Sequence, residues 1–311
     1  MKDLQPVAIT IGDVHLTVQP PVSRSPHADM WIDYQWQRMD EVRRLCDEFM
    51  CPLLIAGDVF DVWYPPAKLI NAAIRMFRQF PYKVYAVPGQ HDLQNHRIEA
   101  IENTGYHTLE LAGVIETIPN DGKPMRELGC NLYGLPWMGE IPKVSEQEHD
   151  RLNVLVAHAF IWTSGENGYV GADDEDKLPG WLKKLQDFNV AIFGDNHKGF
   201  WVSPKTGPTT IWNGGAFVCR TKAEIDYRCR AGIVYSDGTI EPYYFSTDAD
   251  LWSIEAQQET VDREFDLSGL IDELKNLDPD SIDFQEIIDA LCRELDIDSR
   301  EVVSSVLDTV R

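Results

Sequence analysis

Val84-Tyr85-Ala86-Val87-Pro88-Gly89-Gln90-His91-Asp92 is the stretch that decides how this chain is read. Four apolar residues predict a buried strand, Pro88-Gly89 ends it, and three polar side chains then stand in a row. Open α/β sheets place their sites in the crevice beyond the carboxyl ends of such strands. One strand-turn with a histidine is commonplace, but here the event recurs. Strand-like runs also end in Asp13-Val14-His15, in Gly57-Asp58-Val59-Phe60-Asp61, in Ala157-His158 and in Gly194-Asp195-Asn196-His197. Five strand ends thus deliver carboxylates, imidazoles and one amide, a ligand set for a pair of hard-to-borderline divalent cations.

Taken singly, each of these has an ordinary structural explanation. Asp13 and His15 lie on the same side of an extended segment and are able to grip one ion, or they form a polar turn. Asp58 follows a wholly apolar strand and is placed to bridge two ions, or to cap a turn. His158 and His197 read alone as satisfied core histidines. Their joint order, always at strand ends, carries the metal-site expectation.

Working outward, Val7 to Ile11 is the first strand, and the proline-rich residues 16 to 28 form a loop over the strand ends. Asp29 is placed to cap a helix reaching about Met50, with Ile32, Trp36, Met39, Val42, Leu45 and Phe49 at helical spacing. Leu53 to Ala56 is the second strand, Pro65-Pro66 opens a second helix, and a third is expected from about Asn95 to Asn103. This β-α-β-α-β order implies parallel strands with helices outside. Short strands follow at Val114–Ile118, Asn131–Leu135, Val154–Ala157, Ala191–Phe193, Thr209–Trp212, Ile233–Tyr235 and Pro242–Phe245. One good helix, Gly180 to Phe188, lies among them, and residues 163 to 179 are expected to form a mobile loop. The pattern predicts an α/β fold, a four-layer α-β-β-α sandwich spanning 1–247. Residues 248–311 would be a small, acidic, helical C-terminal region.

That region carries three apolar stripes: Leu267, Leu270, Ile271, Leu274 and Leu277; then Phe284, Ile287, Ile288, Leu291 and Leu295; then Val302, Val303, Val306, Leu307 and Val310. Each is short and one-sided and must bury its stripe against something. The net charge of the chain is −23, of which −14 falls in residues 248–311. This is not the composition of a free-standing basic nucleic-acid binder; metals, a local patch or a partner would have to supply the attraction. The six cysteines show no CxxC spacing and read as reduced thiols. No apolar run reaches the length of a membrane span, and Met1 to Gln5 enter the first strand without a signal-peptide pattern. The expected location is the cytoplasm, with no membrane partner.

The series Asp-x-His, Gly-Asp-x-x-Asp, Gly-Gln-His-Asp, His and Gly-Asp-x-His resembles the calcineurin-like metallophosphoesterase superfamily over about residues 7 to 220. Within it the chain looks most like the SbcD-type DNA nucleases of double-strand-break repair, including phage relatives. The pointers are Asp13-Val14-His15-Leu16, Gly57-Asp58-Val59-Phe60, Gly134-Leu135-Pro136 and the segment Asn213 to Arg220. The resemblance implies that one metal is held by Asp13, His15, Asp58 and His197. The second would be held by Asp58, Gln90, His158 and Asp195. His91 would face the phosphate and assist the leaving oxygen, with Asp92 orienting its ring. Asp61 is left a structural role. The implied cofactors are two divalent ions, Mn²⁺ first and Mg²⁺ as the alternative.

Two positions depart from the family pattern, both at the second metal: Gln90 replaces Asn, and Asp195 replaces the first His of Gly-His-x-His. A carboxylate in place of imidazole adds negative charge and a harder oxygen, which favours Mn²⁺ or Mg²⁺ over zinc-type ions. The expected activity is that of a Mn²⁺-dependent DNA exo/endonuclease. Its expected partners are DNA as substrate and an SbcC-like ATPase docked on the C-terminal helices, with a homodimer as a further candidate assembly. Two other readings stay open: a phosphoesterase acting on a nucleotide or other small ester, and a non-catalytic scaffold.

Overall fold

Four consecutive fully buried apolar residues in β2 (Leu53–Ala56) and again in β3 (Val84–Val87) put both strands in the middle of a sheet. In the computed structural model, the described residues are 4–21, 30–145, 148, 150–163, 168, 174–202, 209–220, 224 and 227–246. They belong almost wholly to one compact unit; a second unit consists mainly of residues outside this set, including all of 248–311. The C-terminal helices and the Asp29 cap expected from the sequence therefore lie outside the described residues.

The first sheet has the order β12-β11-β1-β2-β3-β4. Here β1 is Pro6–Ile11, β4 Glu116–Thr117, β11 Arg230–Tyr235 and β12 Ile240–Tyr244. Strands β1 to β4 run parallel, while β11 pairs antiparallel with both β1 and β12. The second sheet has the order β5-β6-β7-β8-β10-β9. Its members are β5 (Met125–Glu127), β6 (Cys130–Leu135), β7 (Leu152–His158), β8 (Val190–Gly194), β9 (Phe200–Val202) and β10 (Thr210–Asn213). Its four central strands are parallel, with β5 and β9 as antiparallel edges.

Side-chain alternation sets the layers. Val154 and Val156 of β7 join Leu54, Ala56, Tyr85 and Val87 in a core shared by the two sheets. Leu155 and Ala157 point the other way, onto Trp181, Leu185 and Phe188. Trp181 belongs to α4 (Leu178–Lys184), which covers the second sheet. On the first sheet, α1 (Trp31–Glu48) packs against β1 and α2 (Ala67–Phe77), and α2 against α3 (Gly105–Leu111). The four-layer α-β-β-α sandwich is thus the observed fold. Fully burying each valine or leucine among these contributes about 1.5–3 kcal/mol, so the inter-sheet layer is a rigid base for the strand ends. Among the described residues, no helix is long and apolar enough to cross a membrane.

Details differ from expectation. Helix α1 starts at Trp31 with Met30 at its N-cap, which offers no side-chain bond. The helix expected at Asn95–Asn103 is a pair of 3₁₀ segments, Gln94–His96 and Ile98–Asn103, because Asn95 and His96 take left-handed backbone angles. The true helix is α3, and the Thr104 hydroxyl caps it by accepting from the His107 N–H. Helix α4 begins at Leu178 with Pro179 in its first turn, earlier than expected.

Candidate metal centre

Each strand end turns sharply, and the turn aims the side chain. Asp13, His15, Asp58 and Asp195 all have positive φ (48°, 48°, 49° and 81°). Left-handed backbone at non-glycine residues costs energy and clusters at functional sites. The turns after β1 and β2 travel together: the His15 N–H donates to the Asp58 carbonyl and the Leu16 N–H to that of Val59. Gly57 has φ +86°, and a Cβ there would lie 2.1 Å from His158 Nδ1. Only glycine fits, so the β2 turn and the β7 histidine are in direct contact.

The nine expected site residues converge. Asp58 is buried, and its Oδ2 lies 3.6 Å from His15 Nε2 and 3.3 Å from His158 Nε2. Its Oδ1 accepts the backbone N–H of His91 at 2.9 Å. His15 Nε2 and His197 Nε2 face each other at 3.2 Å. Asp13 Oδ1 accepts the Asp195 N–H at 2.8 Å. Gln90 stands between two motifs: its Oε1 is 3.0 Å from His158 Nε2 and its Nε2 donates to Asp195 Oδ1 at 2.9 Å. Three ligand-distance groups result: Asp13 with His15 and His197, Asp13 with Asp58 and His158, and His15 with Asp61 and His91.

The tautomers follow from the outer partners. His158 Nδ1 donates to the Ala56 carbonyl at 2.7 Å, and His197 Nδ1 to the Glu224 carboxylate at 2.8 Å. Both therefore present Nε2 inward, toward other acceptors. Oδ2 of Asp13 and Oδ2 of Asp195 are buried without a hydrogen-bond partner among the described residues. Stranding such an oxygen costs about 1–3 kcal/mol or more. Converging lone pairs and orphaned carboxylate oxygens fit divalent cations, and the oxygen-rich donor set suits hard ones. The family resemblance assigns Asp13, His15, Asp58 and His197 to one ion and Asp58, Gln90, His158 and Asp195 to the other. The ligand-distance groups place Asp13 with His15 and His197 and also with Asp58 and His158, so that split is a proposal.

The electrostatics agree. Burial pushes the Asp58 carboxyl up, but His158, His91 and His15 outweigh it and hold it below the usual carboxylate range. Burial is likewise the largest influence on Asp13, pushed up to about 6 against the pull of His197 and His158.

One expected role is corrected. Asp92 does not orient the His91 ring. Its carboxylate, fully buried, accepts from the backbone N–H groups of Val59, Phe60 and Gly89. It ties the β3 turn to the β2 turn. The ring is held by the Asp61 carbonyl, which accepts from His91 Nδ1 at 2.8 Å. The Asp61 carboxylate lies behind His15, Oδ1 to Nδ1 at 3.4 Å. Glu224, buried against His197, was not foreseen. No apolar period and no motif in the sequence mark it.

Comparison with curated proteins found no sequence relative. Among solved structures, the chain is similar to a Haemophilus influenzae NAD nucleotidase, at 11% identity and TM-score 0.41. It covers 83% of this chain and 56% of that one, so this chain spans little more than half of the nucleotidase. It is also similar to a dimetal phosphatase from Danio rerio (10% identity, 78% and 100% covered, TM-score 0.44). A third is a calcineurin-like phosphoesterase from Bacillus subtilis (9% identity, 82% and 96% covered, TM-score 0.42). Similarity this low says nothing of substrate. The calcineurin-like phosphoesterase sequence family, however, matches residues 8–199, a stretch that takes in all five strand ends of this centre, and the chain belongs to that family.

Proposed function

We propose that this chain is a phosphodiesterase, a Mn²⁺-dependent DNA exo/endonuclease of the SbcD type that works with an SbcC-like ATPase. Family membership makes it a metal-dependent phosphoester hydrolase; the diester, the DNA and the manganese are the proposal. When bound, a pair of divalent ions lowers the pKa of a bridging water and offsets charge on the attacking and leaving oxygens.

The observation that carries the reading is the setting of His91. Its Nδ1 is committed to the Asp61 carbonyl and its backbone N–H to Asp58, while its Nε2 makes no hydrogen bond among the described residues. The side chain is only half-buried and its ring lies 4.9 Å from that of His15. A histidine fixed in this way turns Nε2 to the open edge of the centre, where its imidazolium form would hand a proton to a departing alkoxide. Asp58 anchors that histidine through the main chain, so proton donor and metal bridge keep a fixed relation.

The DNA reading rests on the likeness of the segment Asn213 to Arg220 to SbcD-type nucleases, and that segment also touches the metal centre. The Ala216 N–H donates to the His197 carbonyl and the Phe217 N–H to that of Asp13. The segment thus braces both halves of the first metal position. The apolar stripes of the acidic segment 248–311 are the proposed ATPase docking device, through helix-in-groove packing. A chain lacking residues 281–311 should keep diester turnover and lose co-purification with the ATPase; undiminished binding would overturn that assignment.

A second reading, a phosphoesterase on a nucleotide or other small ester, is favoured by the net charge of −23, which repels a polyanion. Linear duplex DNA and a small chromogenic diester, each assayed with Mn²⁺ and with chelator, separate the two. The nuclease reading requires DNA cleavage that depends on Mn²⁺; turnover of the small ester alone would sink it.

A further inference from the structure

We infer that Glu224 is a positioning residue for His197 and, with Asp61, makes the Asp13–His15–His197 position the tighter of the two metal positions. The inference rests on the metal-centre reading above. Glu224 is only 3% exposed, and its Oε1 accepts from His197 Nδ1 at 2.8 Å. A solvated surface pair would contribute little; a buried carboxylate on the far nitrogen of a ligand imidazole does more. It fixes the tautomer, locks the ring and raises the basicity of Nε2.

The main chain that carries this carboxylate is itself held in place. The Glu224 carbonyl accepts the Tyr227 N–H at 2.9 Å and the Cys219 thiol at 3.3 Å. The Tyr227 hydroxyl donates to the Gly214 carbonyl. Glu224 is therefore tied to the segment after β10, which also holds the His197 main chain through Ala216.

The three ligand histidines are not backed equally. His197 leans on the Glu224 carboxylate, and His15 has the Asp61 carboxylate at 3.4 Å. His158 leans on a neutral carbonyl, that of Ala56. Two carboxylates thus stand behind the first position, and among the described residues none stands behind the imidazole of the second. Each added negative charge close to a divalent ion strengthens its binding. The first position should fill first.

The test is stepwise Mn²⁺ titration of the metal-free full chain, by calorimetry and by the electron paramagnetic resonance of bound Mn²⁺. Wild type, Glu224→Gln and Glu224→Ala would be compared, with circular dichroism to check folding. The wild type should bind two ions in separate steps. Ala should weaken the first step by about 10–100-fold, the range for such outer partners. Gln keeps an acceptor without the charge and should fall between. The second step should stay put. Two wild-type steps with neither variant shifting the first would overturn the inference while leaving the metal centre standing. Both steps weakening equally, or loss of fold in both variants, would also overturn it, since Glu224 would then be merely structural. A wild type that binds no ion would overturn the metal centre itself, and this inference with it.

Discussion

The Gln90 carboxamide donates to the Asp195 carboxylate at 2.9 Å. These are the two positions that depart from the family's motif pattern, and they touch. The longer Gln stem carries its carbonyl to His158 and its amide to Asp195 at once, so the two departures form one unit. Gln90→Asn shortens the reach, and Asp195→His removes the acceptor. Residues sharing a hydrogen bond are expected to couple by about 0.5–3 kcal/mol. The Mn²⁺ affinity losses of the two single variants should therefore sum to more than the loss of the double variant. Asp195→His should also raise tolerance of softer ions, since it trades a carboxylate for imidazole. Strictly additive losses in Mn²⁺ affinity, with metal preference unchanged, would remove the idea.

His91→Ala should leave both ions bound and lower turnover by about 10²–10⁴-fold, the range for a lost general acid. The His91 backbone N–H holds the Asp58 carboxylate, and its ring Nδ1 meets the Asp61 main-chain carbonyl, so truncating the ring removes one hydrogen bond and leaves the Asp58 anchor intact. Metal analysis beside the diester assay checks this; a metal-free variant would make His91 a ligand.

Metal binding should release protons. Asp13 is pushed up to about 6, chiefly by burial. Burial alone would lower His158, but Asp58 more than reverses this and holds it well above the ordinary imidazole value of 6.5. Near pH 6 the metal-free protein therefore carries protons that a cation must displace. Affinity should fall as pH drops through about 6, by about 10-fold per unit for each proton expelled, and recover as pH rises. The stability of the metal-free chain follows the opposite course at His158. That contribution is fully present below 6.5 and is lost as pH rises through the raised folded value. Calorimetry at pH 6 in two buffers of different ionisation heat measures the release; equal apparent heats would mean no proton leaves.

Gly57→Ala should cost about 2–4 kcal/mol of stability, because a left-handed turn and a collision with His158 act together. Gly113→Ala is the control: it also has positive φ, but open space around the missing Cβ. It should cost only about 1–2 kcal/mol. Urea unfolding of both variants decides; equal losses would show that the His158 contact is slack.

Much of this was legible in the sequence because the central strands are short, wholly apolar and punctuated. β2 and β3 each stop where a glycine meets polar side chains, and an unbroken apolar run of four marks each as a strand buried on both faces. The edges were harder. β5 and β9 are three residues each, and neither is buried throughout, so no period marks them. α3 hid because its first residue is glycine and its cap, Thr104, follows an irregular 3₁₀ stretch. The role of Asp92 was misread because adjacency in sequence suggested contact. The 3₁₀ turn over Gln90–Asp92 instead swings its carboxylate back onto the β2 turn. Glu224 lies 27 residues beyond His197, and only folding brings it there.

The central claim is two ions joined by Asp58, whose Oδ2 sits between His15 and His158. Its most direct test is Mn²⁺ stoichiometry followed together with turnover of a chromogenic diester, in the wild type and in Asp58→Asn. The wild type should bind two ions per chain, with turnover rising only as the second is filled. Asp58→Asn should lose affinity at both positions and with it nearly all turnover. A wild type fully active with one ion or with chelator present, or an Asp58→Asn protein that keeps two tight ions and near-normal turnover, would contradict the account.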